Sequence, residues 1–213
     1  MRVLRNIRSE AGYTMAEMLV VAAVISLIMG GLLTLLTSGQ QTYLVGSNRA
    51  EAQQTARLVL HRVAEEVRTG GYDPKNTATF AAITALTPPS AGFTIWNDWN
   101  ANATIDTAVI VSVNGTNHGE QITYDVINGT HLRRQESQID GSPVIVSNAI
   151  SLITFQYLDA DDIAVGSPHL ASNAANIRTV VVTVTTTPDT QASSTSGQVS
   201  VTSTIRARVR NRS

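Results

Sequence analysis

The chain of 213 residues contains no cysteine. That excludes disulfides, thiolate metal sites and cysteine nucleophiles. It does not fix the compartment, because a secreted domain can fold without disulfides. Lysine is nearly missing as well: Lys75 stands alone, and arginine carries the rest of the basic charge. The formal net charge of −1 points to no class of partner. Nucleophile elbows, phosphate loops and zinc patterns are absent, so there is no enzyme signature. His61, His118, His131 and His169 lie far apart without ligand spacing and read as surface or turn residues.

The most informative absence is of charge. Residues 18–36 form a run of 19 without a single ionisable side chain. As a helix rising about 1.5 Å per residue it is roughly 28 Å long. The hydrocarbon core of a bilayer is about 30 Å thick. Eleven of these residues are Leu, Ile or Val. Each contributes about −0.3 to −0.6 kcal/mol at the membrane centre, together roughly −3 to −7 kcal/mol. That can carry one misplaced charge, which costs about 2.5 to 3.5 kcal/mol. Such a charge, Glu17, stands just before the run.

Ahead of the run lie Arg2, Arg5 and Arg8 against a single acid, Glu10, and then Gly12-Tyr13-Thr14-Met15-Ala16-Glu17. An ordinary secretory signal has a shorter apolar region, about 7 to 15 residues, with a small-residue cleavage site behind it. Here the run is longer and Leu36-Thr37-Ser38 makes a poor site. The Gly, the aromatic residue and the Glu five places after the Gly closely resemble the class III leader of type IV prepilins and pseudopilins. The resemblance implies cleavage by a prepilin peptidase between Gly12 and Tyr13 and methylation of the new N-terminus at Tyr13. It assigns an assembly role to Glu17. Tyr13 stands where Phe is usual, and Thr34 where many major pilins have Pro. Without cysteine, the C-terminal disulfide loop of many major pilins is excluded. The positive leader puts the N-terminus in the cytoplasm and the remainder outside.

Four segments follow: a leader at 1–12, a membrane-spanning and assembly segment at 13–37, an amphipathic periplasmic segment at 38–70 and a β-rich head at 71–213. No Pro interrupts 38–68, and Ala52, Ala56, Val59, Val63 and Val67 recur at helical spacing. Allowing for a break near Gly30-Gly31, the chain from Tyr13 to Arg68 can form a helix roughly 84 Å long. Gly70-Gly71 and Asp73-Pro74 end it. The stretch 53–76, QQTARLVLHRVAEEVRTGGYDPKN, is similar to the helix end of PilW-type minor pilins.

Residues 77–92 read as a loop with a short turn at 80–86. Strands are expected at 93–96, 107–113, 121–126, 131–135, 144–146, 150–158, 177–187 and 198–210. Asn114-Gly115 and Asn128-Gly129 are tight-turn signals, the second a hairpin. Residues 159–175 read as a polar loop and 191–197 as a flexible turn. The fold class is α+β: a long N-terminal helix, membrane-spanning in its first half, packed on a C-terminal antiparallel sheet.

Three features of the head carry alternative readings. Asp98, Asn100, Asn102 and Asp106 place oxygens at alternate positions, like the start of a calcium loop. Ala103 replaces the sharp-turn Gly, however, and Val109 the bidentate Glu. A polar loop whose Asn and Asp cap their own backbone is the competing reading, and it also covers Asp159, Asp161 and Asp162. Arg206, Arg208, Arg210 and Arg212 alternate and share one face of a strand. They form either a docking or nucleic-acid patch or a charged edge that resists aggregation. No aromatic residues interleave with them, so nucleic acid is disfavoured. Asn102, Asn114 and Asn128 head glycosylation-type triplets that reflect turn composition.

The resemblance implies a non-enzymatic minor pilin. Its partners would be the prepilin peptidase, other minor and major pilins, an inner-membrane assembly platform and a tip adhesin. A J-type minor pseudopilin of type II secretion shares leader and architecture. A membrane-anchored DNA-uptake or binding pilin and an anchored hydrolase are the readings from other classes.

Overall fold

The computed structural model describes residues 12–76, 79–147, 149–188 and 199–211. The leader up to residue 11, the turn at 191–197 and Arg212 lie outside the described residues. The chain divides into two units, Met1–Val45 and Gly46–Ser213.

Helix α1 runs from Met15 to Thr69 without interruption. It passes through Gly30-Gly31, so the break allowed for there does not occur. In the first unit it is apolar all round, and every described side chain before Val45 is exposed. Leu27 and Leu35 are 80% and 73% exposed. A helix with no polar face belongs in lipid or in a bundle of other helices. Among the described residues it is the one helix long and apolar enough to cross a membrane. The two hydroxyls of the uncharged run 18–36 are bonded back to the helix: Ser26 Oγ donates to the Ala22 carbonyl at 2.7 Å and Thr34 Oγ1 to that of Gly30 at 2.9 Å. They bring no unpaired donor into an apolar medium.

In the second unit α1 becomes one-sided. The expected stripe is buried, joined by Leu60 and Ala64. Ten strands follow among the described residues. β1 (Ile83–Ala85), β2 (Ala91–Trp96), β5 (Gln121–Ile127), β6 (His131–Glu136) and β7 (Val144–Ser147) form one antiparallel sheet in the order 1-2-5-6-7. β8 (Ile150–Leu158), β9 (Thr179–Thr186) and β10 (Val201–Arg208) form a second, in the order 10-9-8. β3 (Val111–Val113) and β4 (Thr116–His118) make a separate two-stranded ribbon. The loop expected at 159–175 contains a single helical turn, α2 (Ala171–Ala174).

The head therefore has two sheets and a ribbon where one sheet was expected. The core is nonetheless continuous. Val59, Val63 and Val67 of α1 share a cluster with Phe93, Ile95, Tyr124 and Leu132 of the first sheet and Ile153, Val180, Val182 and Val184 of the second. Burying each Val or Leu of the stripe is worth about 1.5–3 kcal/mol. Both Asn-Gly pairs turn as the sequence indicates. Asn114 and Gly115 have φ of 52° and 81°, Asn128 and Gly129 of 55° and 71°, the signature of a type I′ turn.

Polar contacts add to this packing. Glu66, on the partly buried flank of α1, accepts from Tyr124 Oη at 2.8 Å and from Arg134 Nε at 2.9 Å. Arg134 also donates to Glu136 at 2.6 Å and Asp140 at 2.9 Å. Burial pulls the Arg134 pKa down, but its hydrogen bond to Glu136 and the charges of Glu66 and Glu136 outweigh that and raise it. Burial and the Glu66 carboxylate together push the Tyr124 hydroxyl well above its ordinary range. At the far end of the helix, Arg210 N–H and Asn211 Nδ2 donate to the carbonyls of Arg68 and Thr69 at 3.4 and 2.9 Å. These are carbonyls a helix end leaves without internal partners.

Candidate functional site

Gly12 and Tyr13 lie just outside α1, fully accessible; Tyr13 is 85% exposed. No atom outside the local backbone comes within 4 Å of where a Gly12 side chain would start. The helix begins at Met15, with Thr14 as its cap. Glu17 Oε2 accepts from Thr14 N–H at 2.8 Å and from Thr14 Oγ1 at 3.0 Å. In return Glu17 N–H donates to Thr14 Oγ1 at 3.3 Å. This is a capping box, in which residue and cap satisfy each other's free donors. A carboxylate in the first turn also meets the positive end of the helix dipole. Glu17 thus has a local partner that the reading of its charge alone missed. The Thr-x-x-Glu spacing was the signal for it.

The second candidate site is the loop after β2. Asp98, Asn100, Asn102 and Asp106 do come together, but they spend their oxygens on the loop itself. Buried Asp98 accepts from the N–H groups of Asn102 at 3.2 Å and Ala103 at 2.8 Å. Asp106 Oδ2 accepts from the amides of Asn100 at 3.0 Å and Asn102 at 2.7 Å. Asn102 Oδ1 accepts from Thr104 N–H at 2.9 Å. Ala103 takes the left-handed turn, φ 68°, that a glycine would take more cheaply. Among the described residues no group of three or more His, Asp or Glu is placed to hold a metal. The geometry is that of the self-capping polar loop. A calcium ion would first have to displace these bonds.

A residue far along the chain organises this loop. Glu120, wholly buried, accepts from the N–H of Trp99 at 2.9 Å, of Asn100 at 3.3 Å and of Asp106 at 2.7 Å. Trp99 stacks on His118 at 4.6 Å and lies 4.8 Å from the Tyr72 ring. Asp98 N–H donates to the Tyr72 carbonyl at 2.7 Å, tying the loop to the exit of α1. His61 lies 3.5 Å from Glu65 and His131 contacts Thr130 at 2.8 Å.

The alternating arginines of the last strand lie on its exposed side, with Arg206, Arg208 and Arg210 all solvent-facing. Asp162 accepts from Arg206 at 2.8 Å. Compared with known protein families and with curated proteins, the sequence finds no match.

Proposed function

We propose that this protein is a minor pilin of the PilW type, a structural subunit stored in a membrane and moved into a filament. One observation carries the reading. A helix exposed and apolar on every side begins directly behind Gly12-Tyr13, bears one carboxylate, Glu17, at its mouth, and runs on as the core helix of the head. Lipid and a bundle of like helices are both apolar surroundings. The same surface therefore stays covered before and after assembly, and the head travels with the helix that is extracted. On this reading a prepilin peptidase cuts after Gly12 and methylates Tyr13. The helix sits in the inner membrane with the head in the periplasm. An assembly platform then docks it with other minor and major pilins, and a tip adhesin can join them. A J-type pseudopilin has the same physical design and is the nearest alternative.

Coexpression with a prepilin peptidase tests the reading. The mature chain should begin at Tyr13 with a methylated amine. A chain that keeps Met1 beside an active peptidase, or begins at Gly39, is inconsistent with it.

A further inference from the structure

We propose that the hollow lined by Arg68, Arg206, Arg208 and Arg210 binds a compact group carrying several phosphate charges. The hollow measures about 500 Å³, and Val209 also lines it. Arg68 comes from the last turn of α1, the other three from β10 and the residues after it. β10 is the outer strand of its sheet, and Arg206, Arg208 and Arg210, on one face of it and of the residues after it, are exposed. The sequence shows the alternating arginines; only the fold adds Arg68 and makes the row concave.

Among the described residues these charges are under-compensated. Asp162 pairs with Arg206, but both side chains are more than half exposed, at 58% and 55%. An exposed pair of this kind is weak and exchangeable. Among the described residues no carboxylate pairs with Arg68, Arg208 or Arg210. Nor does the end of α1 need them as caps. The carbonyls of Arg68 and Thr69 already accept from Arg210 N–H and Asn211 Nδ2.

The shape and chemistry select the ligand. A guanidinium has a permanent charge and a planar fork of donors that fits phosphate oxygens two at a time. Four forks around one hollow exceed what a lone carboxylate can satisfy. They match neighbouring phosphates held close together. Among the described residues no aromatic side chain lines the hollow for bases to stack on. Convergence on one concavity also suits a compact ligand better than an extended backbone. A free polyphosphate and a phosphorylated saccharide headgroup share this chemistry.

The test is calorimetry on the full chain in a sugar-free zwitterionic detergent, at low salt and without phosphate buffer. The probes are tripolyphosphate and, separately, a deacylated bisphosphorylated glucosamine disaccharide. Saturable binding is expected, and the tighter probe identifies the source. Arg208→Gln with Arg210→Gln should weaken binding by about a hundred-fold, since each of the two charge-assisted bonds lost is worth about ten-fold. Asp162→Asn removes the anion that competes for Arg206 and should tighten binding, an effect that loss of fold would not produce. The proposal is overturned by absence of heat up to millimolar probe, by unchanged binding in the double variant, or by weakened binding in Asp162→Asn. Tighter binding of duplex DNA than of tripolyphosphate at equal charge overturns the compact ligand.

Discussion

At position 17 a carboxylate stands where lipid would penalise it, yet the adjoining Thr14 gives it two hydrogen bonds and takes one back. That local pairing lowers the cost of holding the charge in an apolar medium. It also means that an incoming partner must compete with the chain's own cap. On the proposed function, Glu17→Ala should leave insertion and cleavage intact, because a charge is removed and the proposed cut follows Gly12. Incorporation into minor-pilin complexes should fall, with Glu17→Asp between the two. The measurement compares the processed membrane pool with the yield in co-purified complexes; wild-type yield for Glu17→Ala would remove the assembly role. Glu120 makes a second case at this scale. Its two oxygens face three N–H groups, so an amide there turns donors onto donors. Glu120→Gln should destabilise the head by roughly 1.5–3 kcal/mol, read from the denaturation midpoint of the full chain. A shift within error would mean that Glu120 does not hold the loop. The Thr-x-x-Glu cap could be read from the sequence, since both partners lie in one turn. Glu120 could not, because nothing local connects it to residues 98–106.

Among the elements, α1 and the first sheet meet around Arg134. Removing the guanidinium leaves Glu66, Glu136 and Asp140 facing one another with little water. Arg134→Met should therefore cost about 3–5 kcal/mol and lower the thermal midpoint steeply, whereas the exposed pair of His61 and Glu65 should be replaceable at little cost. Equal effects from the two sites would contradict this account of the junction. The same region has a signature at high pH. Burial raises the pKa of Tyr157, whose hydroxyl donates to the Gly92 carbonyl at 2.6 Å, and Tyr124 is raised by burial and by Glu66. Unfolded tyrosine ionises near pH 10. The two neutral hydroxyls thus contribute stability in full below about pH 10 and lose it as pH climbs toward their folded values. In an alkaline titration, Tyr124 and Tyr157 should form tyrosinate only together with loss of the near-ultraviolet dichroism. Ionisation before that loss would show that they are not held neutral by the fold.

The strands were legible where side chains alternate or form continuous apolar runs. The strand expected at 150–158 is β8 to the residue, and 121–126 and 131–135 fall within β5 and β6. Where pairing rather than pattern decides, the sequence was silent. Ile83–Ala85 lies in the segment read as a loop, and becomes β1 because Ile83 and Ala85 pair with Ile95 and Phe93 on β2. The strand expected over 107–113 shrinks to Val111–Val113, because Val109 and Ile110 stay exposed and only the part next to the Asn114-Gly115 turn finds a partner in β4. The division into two sheets was likewise unreadable, since alternation shows which face a residue takes and not which neighbour its backbone bonds.

For the molecule as a whole, the ends of the head meet. Thr186 Oγ1 donates to the Ala52 carbonyl at 2.7 Å, and Arg210 N–H to that of Arg68 at 3.4 Å. Ala207 and Val209 are buried in the core, 0% and 3% exposed. Deleting residues 201–213 should therefore unfold the head rather than trim it, leaving a chain that still enters the membrane but is rapidly degraded by added protease. A truncated chain as resistant as the intact one would show that β10 is dispensable.

That closure has a consequence in time. The apolar helix and the stripe behind it are synthesised first, but the strands that cover the stripe come last. While the middle of the chain is being made, Val59, Val63 and Val67 have only part of their eventual cover, and closing so long a loop is entropically slow. On the proposed function the subunit is therefore tethered before it is folded. The interval between the two is when its apolar stripe and unpaired strand edges are most open to a neighbouring chain or a chaperone.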